Sequence, residues 1–127
     1  MVKYKVSAVS YLNTVPFIHG LKQSELIHNI DLQLDYPSIC ADKLINGTVD
    51  FALVPVVVIP KLQAHIISDY CIGADGVVDS VCLYSDVPIT EIESIGLDYQ
   101  SRTSVELLRL LLTEYWQNTM KNICHQN

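Results

Sequence analysis

The chain has 127 residues, half of them hydrophobic, so it is long enough to bury a core and too apolar to remain a disordered segment. Fourteen acidic against eight basic side chains give a net charge of −6, which argues against nucleic acid and against anionic membrane surfaces, where clustered lysine and arginine supply the attraction. No apolar run approaches the roughly 20 residues that span a bilayer, and the start Met1-Val2-Lys3-Tyr4-Lys5 leads into a run too short for a secretory signal.

In chain order, residues 4–10 are apolar and β-branched and predict a buried strand. A short helix is expected over 16–22, with Asn13 or Thr14 as its cap and Gly20 weakening its middle. Residues 31–36 alternate as a second strand. Pro37 suits a first helical turn and Gly47 a stop, so 37–46 reads as a helix. A third strand is expected over 49–54, an apolar helix over 56–62 and a short strand over 66–68.

Residues 73–76, Gly-Ala-Asp-Gly, read as a loop, and 77–84 alternate well enough for a strand. A connector over 86–93 contains Pro88 and a short turn capped by Thr90. Residues 95–98 form another strand. Ser101 or Thr103 then caps a helix over 104–116, with Thr103 and Glu106 spaced as a capping box. That helix carries leucines on more than one side and expects cover from other structure. The tail, 117–127, loses all periodicity and reads as frayed. Strands alternating with helices predict an α/β protein with a mostly parallel sheet.

Three places gather polar groups where an α/β sheet binds ligands. The first is Tyr11, Asn13 and Thr14, where the first strand ends and a helix begins. Helix capping by Asn13 or Thr14 is the structural alternative there. The second is the loop containing Gly76, with Ser80 beyond it. Its glycines allow close backbone approach, but the GxxxxGK phosphate pattern is absent, and taken alone the stretch reads as a hairpin turn with Ser80 an ordinary strand serine.

The third is Ser101, Arg102, Thr103 and Ser104, at the amino end of the strongest helix. Unpaired N–H groups, hydroxyls and a guanidinium there suit a carboxylate. A capped helix with a solvated arginine is the alternative. The four cysteines (Cys40, Cys71, Cys82, Cys124) show neither a CxxC pair nor zinc spacing and read as reduced thiols. His19 reads as a helix-face residue, and none of the histidines stands in a nucleophile or metal motif.

Four stretches, AVSYLNTVPFIHGL, ADKLINGTVDFALVPV, ISDYCIGADGVVDSV and LDYQSRTSVELLRLLLTEYW, follow one another in an order and spacing that resembles the chorismate dehydratases of futalosine-dependent menaquinone biosynthesis (MqnA-type proteins). The resemblance implies a type II periplasmic-binding-protein-like fold, working as a cytoplasmic enzyme with a substrate cleft between two lobes. It places most of lobe one in residues 1–94 and the start of lobe two in 95–127, with an atypical tail at 117–127, as a truncated family member would have. It implies dehydration of chorismate to 3-[(1-carboxyvinyl)oxy]benzoate, a carbon–oxygen lyase reaction, with no metal or organic cofactor. Asn13 and Ser80 take the catalytic, orienting roles. Tyr11, Thr14, Gly76, Ser101, Arg102, Thr103 and Ser104 line the substrate.

The expected partner is the small anionic substrate, chorismate, with neither nucleic acid nor membrane. An incomplete second lobe would leave the leucine-rich helix exposed and invite self-association. Within the same pathway, the 1,4-dihydroxy-6-naphthoate synthases share the implied fold and are the nearest alternative. A non-catalytic module that binds a small carboxylate is another, and an inactive short chain a third.

Overall fold

The computed structural model describes residues 3–117 and 122–125. Its contacts gather into two compact units, Met1–Ile72 and Gly73–Asn127.

The first unit is an α/β layer built on a three-stranded parallel sheet. Strand β1 (Tyr4–Val9) lies in the middle, β2 (Ile30–Asp35) on one side and β3 (Phe51–Ala52) on the other. The β1–β2 register runs from Tyr4 opposite Ile30 to Val9 opposite Asp35, and Val6 faces Phe51 across the other ladder. Although β3 is only two residues long, backbone bonds from Asp50 N to Lys5 O (2.9 Å) and from Leu53 N to Ser7 O (3.0 Å) extend its pairing. Helix α1 (Val15–Gln23) follows a 3₁₀ turn over Leu12–Thr14, and α2 (Pro37–Ile45) connects β2 to β3.

Local chemistry explains the helix boundaries. Proline stands in the first turn of both α1 and α2, where its missing N–H costs nothing. Just past α2, Gly47 sits at φ +64°, a left-handed conformation that glycine adopts without Cβ strain. Burial along β1 increases toward its carboxyl end, where Ser7, Ala8 and Val9 are covered. With Ile18, Cys40, Ala41, Val49 and Val58 they make the core of this unit.

The second unit is smaller. Strands β4 (Ser94–Leu97) and β5 (Asn122–His125) pair in parallel, Ser94 opposite Asn122 and Leu97 opposite His125. Helix α3 (Arg102–Leu110) runs into a π-helical turn over Leu111–Tyr115. Ile92, Ile95, Leu97 and Leu112 form the core, with Ile89, Val105, Leu108 and Trp116 packed against it.

The α/β class and the parallel sheet agree with the sequence expectation, but several elements differ. Residues 77–84 form no strand, and Val77 is 93% exposed: alternation supplies a strand's pattern, yet a strand also needs a partner edge. Residues 66–68 are likewise irregular. The expected helix over 56–62 is a 3₁₀ segment, Val56–Lys61, because Pro60 inside it removes a donor. The short turn Ile89–Glu91 contains Thr90 rather than being capped by it. The last long helix starts at Arg102, two residues earlier than expected, and its α portion ends at Leu110.

It is also less covered than expected, with Leu107 46% and Leu110 58% exposed. In the tail read as frayed, Asn122–His125 pairs with β4, while 118–121, 126 and 127 lie outside the described residues. Among the described residues, no helix is long and apolar enough to cross a membrane.

Candidate functional site

In a sheet ordered β2-β1-β3, the chain leaves β1 toward one neighbour and returns to the other. This makes the carboxyl ends of β1 and β3 the crevice where open α/β sheets take ligands. Residues 10–14 stand at that end of β1, and residues 53–56 at that end of β3. The turn over Leu12–Thr14 closes with Thr14 N donating to Tyr11 O at 3.0 Å. It presents Asn13 to solvent and buries Thr14 completely. Tyr11, Asn13 and Thr14 are thus brought together on one turn.

Capping does not explain the asparagine. Neither Tyr11, at the start of the 3₁₀ turn, nor Thr14, at the start of α1, makes a side-chain cap, and among the described residues the Asn13 carboxamide accepts a long 3.4 Å contact from Thr14 Oγ1. His19 is exposed on α1.

Two groups beside this turn carried no functional signal in the sequence. Tyr36 follows β2, and its ring meets that of Tyr11 with centroids 6.3 Å apart and planes inclined at 55°. Asp35, the last residue of β2, accepts from Ser7 Oγ at 2.8 Å and from Lys43 Nζ at 2.6 Å through the same oxygen, Oδ2. Lys43 also donates to Gln33 Oε1 at 2.8 Å. Burial works against the ionised carboxyl of Asp35, but the hydrogen bonds from Lys43 and Ser7 and the lysine charge outweigh it and hold the pKa below the ordinary range. Burial pushes the neighbouring Cys40 thiol up, so it stays protonated and inert at neutral pH. The one hint in the sequence was Ser7, a hydroxyl set within an apolar strand.

The other expected site residues belong to the second unit. Gly76, at φ +98°, and Ser80 lie on the exposed segment before β4, Ser80 within a turn. Ser101 is the cap of α3: its Oγ accepts from Ser104 N at 3.2 Å and donates to Ser104 Oγ at 2.9 Å. Of the two caps that the sequence allows, Ser101 and Thr103, the geometry selects Ser101. Arg102 and Thr103 begin the helix, both half-buried. An open concavity of about 230 Å³ lies between residues 82–85 and 92–96, and its lining includes neither Gly76, Ser80 nor residues 101–104.

Cys40 is buried, whereas Cys71, Cys82 and Cys124 are exposed free thiols. Among the described residues, His, Cys, Asp and Glu side chains form no group of three suited to a metal ion.

Compared with known families, residues 4–126 match the family model described as menaquinone biosynthesis. The match spans all four of the stretches that carried the sequence resemblance, and it runs on past Trp116 through the tail.

Proposed function

Because the chain belongs to the menaquinone biosynthesis family, a family of biosynthetic enzymes, we propose that its reaction is the dehydration of chorismate to 3-[(1-carboxyvinyl)oxy]benzoate. The observation that carries this reading is the exposed Asn13 carboxamide. It stands at the carboxyl end of the central strand and is not spent on a helix cap.

The reaction removes a ring proton and the ring hydroxyl as water, and aromatisation drives it. Selectivity therefore comes from holding the substrate so that elimination outruns other losses. In this reading Asn13 orients the hydroxyl or the enolpyruvyl side chain, and Tyr11 and Thr14 shape the same end of the crevice. Ser80 shares the orienting role. The amino end of α3, with Ser101, Arg102, Thr103 and Ser104, receives a carboxylate, and Gly76 lets the backbone approach it. The substrate's own carboxylate serves as the base, which makes positioning the dominant contribution.

The assignment of residues 1–94 to lobe one and 95–127 to lobe two belongs to this proposal, as does a cytoplasmic location. The two compact units part earlier, between Ile72 and Gly73.

The test is to incubate the purified chain with chorismate and follow the benzoate product by mass spectrometry, with an established chorismate dehydratase as control. Product above the uncatalysed background is expected. Asn13→Ala is expected to lower the rate by about 100-fold, the usual loss for an oriented hydrogen-bonding group, with an unchanged melting temperature. Chorismate bound but recovered intact would favour a carboxylate-binding module. An equal loss of stability and activity in Asn13→Ala would reduce that residue to a structural role.

A further inference from the structure

Asp35 joins three elements at the base of the candidate site. Its carboxylate takes the Ser7 hydroxyl from β1 and the Lys43 ammonium from α2, and its main-chain carbonyl accepts from Ser10 N at 2.9 Å. The Cys40 thiol also approaches that carbonyl, at 3.9 Å. Ser10 links β1 to the turn bearing Tyr11, Asn13 and Thr14, and the residue after Asp35 is Tyr36, whose ring meets Tyr11.

Ser7 is wholly buried, and the Asp35 and Lys43 side chains are 18% and 28% exposed. Such an ion pair is costly to desolvate, and well-packed apolar residues join a strand to a helix at least as well. What apolar residues lack is direction. A carboxylate shared by a hydroxyl and an ammonium fixes the end of β2 against β1 in one orientation.

We propose that Asp35 is a positioning residue for the candidate site: held by Ser7 and Lys43, it sets residues 10–14 and the Tyr36 ring in the geometry that receives substrate. The proposal rests on the reading of residues 10–14 as a substrate site. It extends that reading to a residue that never touches the substrate. Asp35 acts through Ser10 and Tyr36, and Lys43 acts through Asp35.

The experiment uses the full 127-residue chain, isotopically labelled, as wild type and as Asp35→Asn, Lys43→Gln and Ser7→Ala. Nuclear magnetic resonance reads hydrogen exchange at Ser10 and Thr14 and the Tyr11–Tyr36 ring contact. The Asp50 and Leu53 amides, which bond to Lys5 and Ser7, report sheet pairing as an internal control. In Asp35→Asn, exchange at Ser10 and Thr14 is expected to quicken by about tenfold and the ring contact to weaken, with the Asp50 and Leu53 amides unchanged.

Unaltered exchange at residues 10–14, or an equal change at every amide of the first unit, overturns the proposal. Should Asp35→Asn fail to fold, Lys43→Gln decides by the same readings, since its side chain is the more exposed of the pair. With chorismate, assayed well below their melting transitions, the variants are expected to lose kcat by about tenfold while remaining folded. A wild-type chain that leaves chorismate intact counts against the dehydratase reading alone, because the exchange and ring readings do not depend on turnover.

Discussion

Replacing Ser7 by alanine removes one oxygen from a position without access to water, and its cost can be worked out from its surroundings. The Ser7 hydroxyl donates to Asp35 Oδ2 at 2.8 Å, and Ser7 is 0% exposed. A hydrogen bond to a charged acceptor contributes about 1.5–3 kcal/mol. Lys43 keeps its own bond to that oxygen, and the Asp35 side chain retains 18% exposure, so part of the deficit is made up by the lysine and by water. The lower end, about 1.5 kcal/mol, is the expected loss at neutral pH.

The pH dependence has a definite sign. The Asp35 carboxyl is held below its ordinary value of 3.8, so the ionised form stabilises the fold at every pH above that value. That contribution disappears as the pH falls through the lower, folded-state pKa. Ser7 is one of the groups that hold the pKa down, so Ser7→Ala should show its full deficit at neutral pH and a shrinking one below 3.8. Urea unfolding followed by far-ultraviolet circular dichroism, compared with wild type across that range, measures it. A neutral-pH deficit below about 0.5 kcal/mol, or one that acid leaves unchanged, would refute the argument.

Leu97→Ala empties a site only 2% exposed among Ile92, Ile95 and Leu112, and should cost about 2–5 kcal/mol, read by the fluorescence of Trp116 against the same cluster. Ser101→Ala removes the cap that accepts from Ser104 N, for a loss of about 1 kcal/mol in urea unfolding, while Thr103→Ala should be nearly silent. At Gly47 a Cβ would meet nothing within 4 Å, so Gly47→Ala reports the cost of φ +64° alone, about 1 kcal/mol of destabilisation in thermal unfolding. Gly20→Ala, within α1 and equally free of neighbours, should instead stabilise by roughly 0.5–1 kcal/mol in the same melts.

What the sequence made legible was local. The apolar start of β1, the alternation of β2 and the proline and glycine bounding α2 each carry their own signal, and the structure forms all three elements. Strand β4 was similarly readable. Residues 77–84 show the limit, since alternation describes faces and leaves the neighbouring edge unspecified. Strand β5 shows the converse, because Asn122–His125 pairs with β4 without any periodic pattern of its own.

The first site motif was legible because a polar turn ends an apolar strand. Tyr36 and Asp35 were not, because they reach that turn through the register of β2 against β1. Val9 lies opposite Asp35, a relation between residues far apart in the chain. At α3 the surplus of hydroxyls hid which one was the cap. Only the geometry distinguishes Ser101 from Thr103.

The central place of β1 also bears on how the protein is made. Its first partner is distant, with 28 residues separating Ser7 from Asp35, and its second more so, with 45 separating Lys5 from Asp50. A ribosome adds residues at about 5–20 per second, so β1 waits on the order of seconds before β3 exists to cover its other edge. Ser7, Ala8 and Val9, which the finished fold hides, stay available during that interval to any other strand in reach. Ser7, Ala8 and Val9, which lead into the candidate site, are therefore made well before the strands that cover them, and the yield of folded chain depends on how well that interval is guarded.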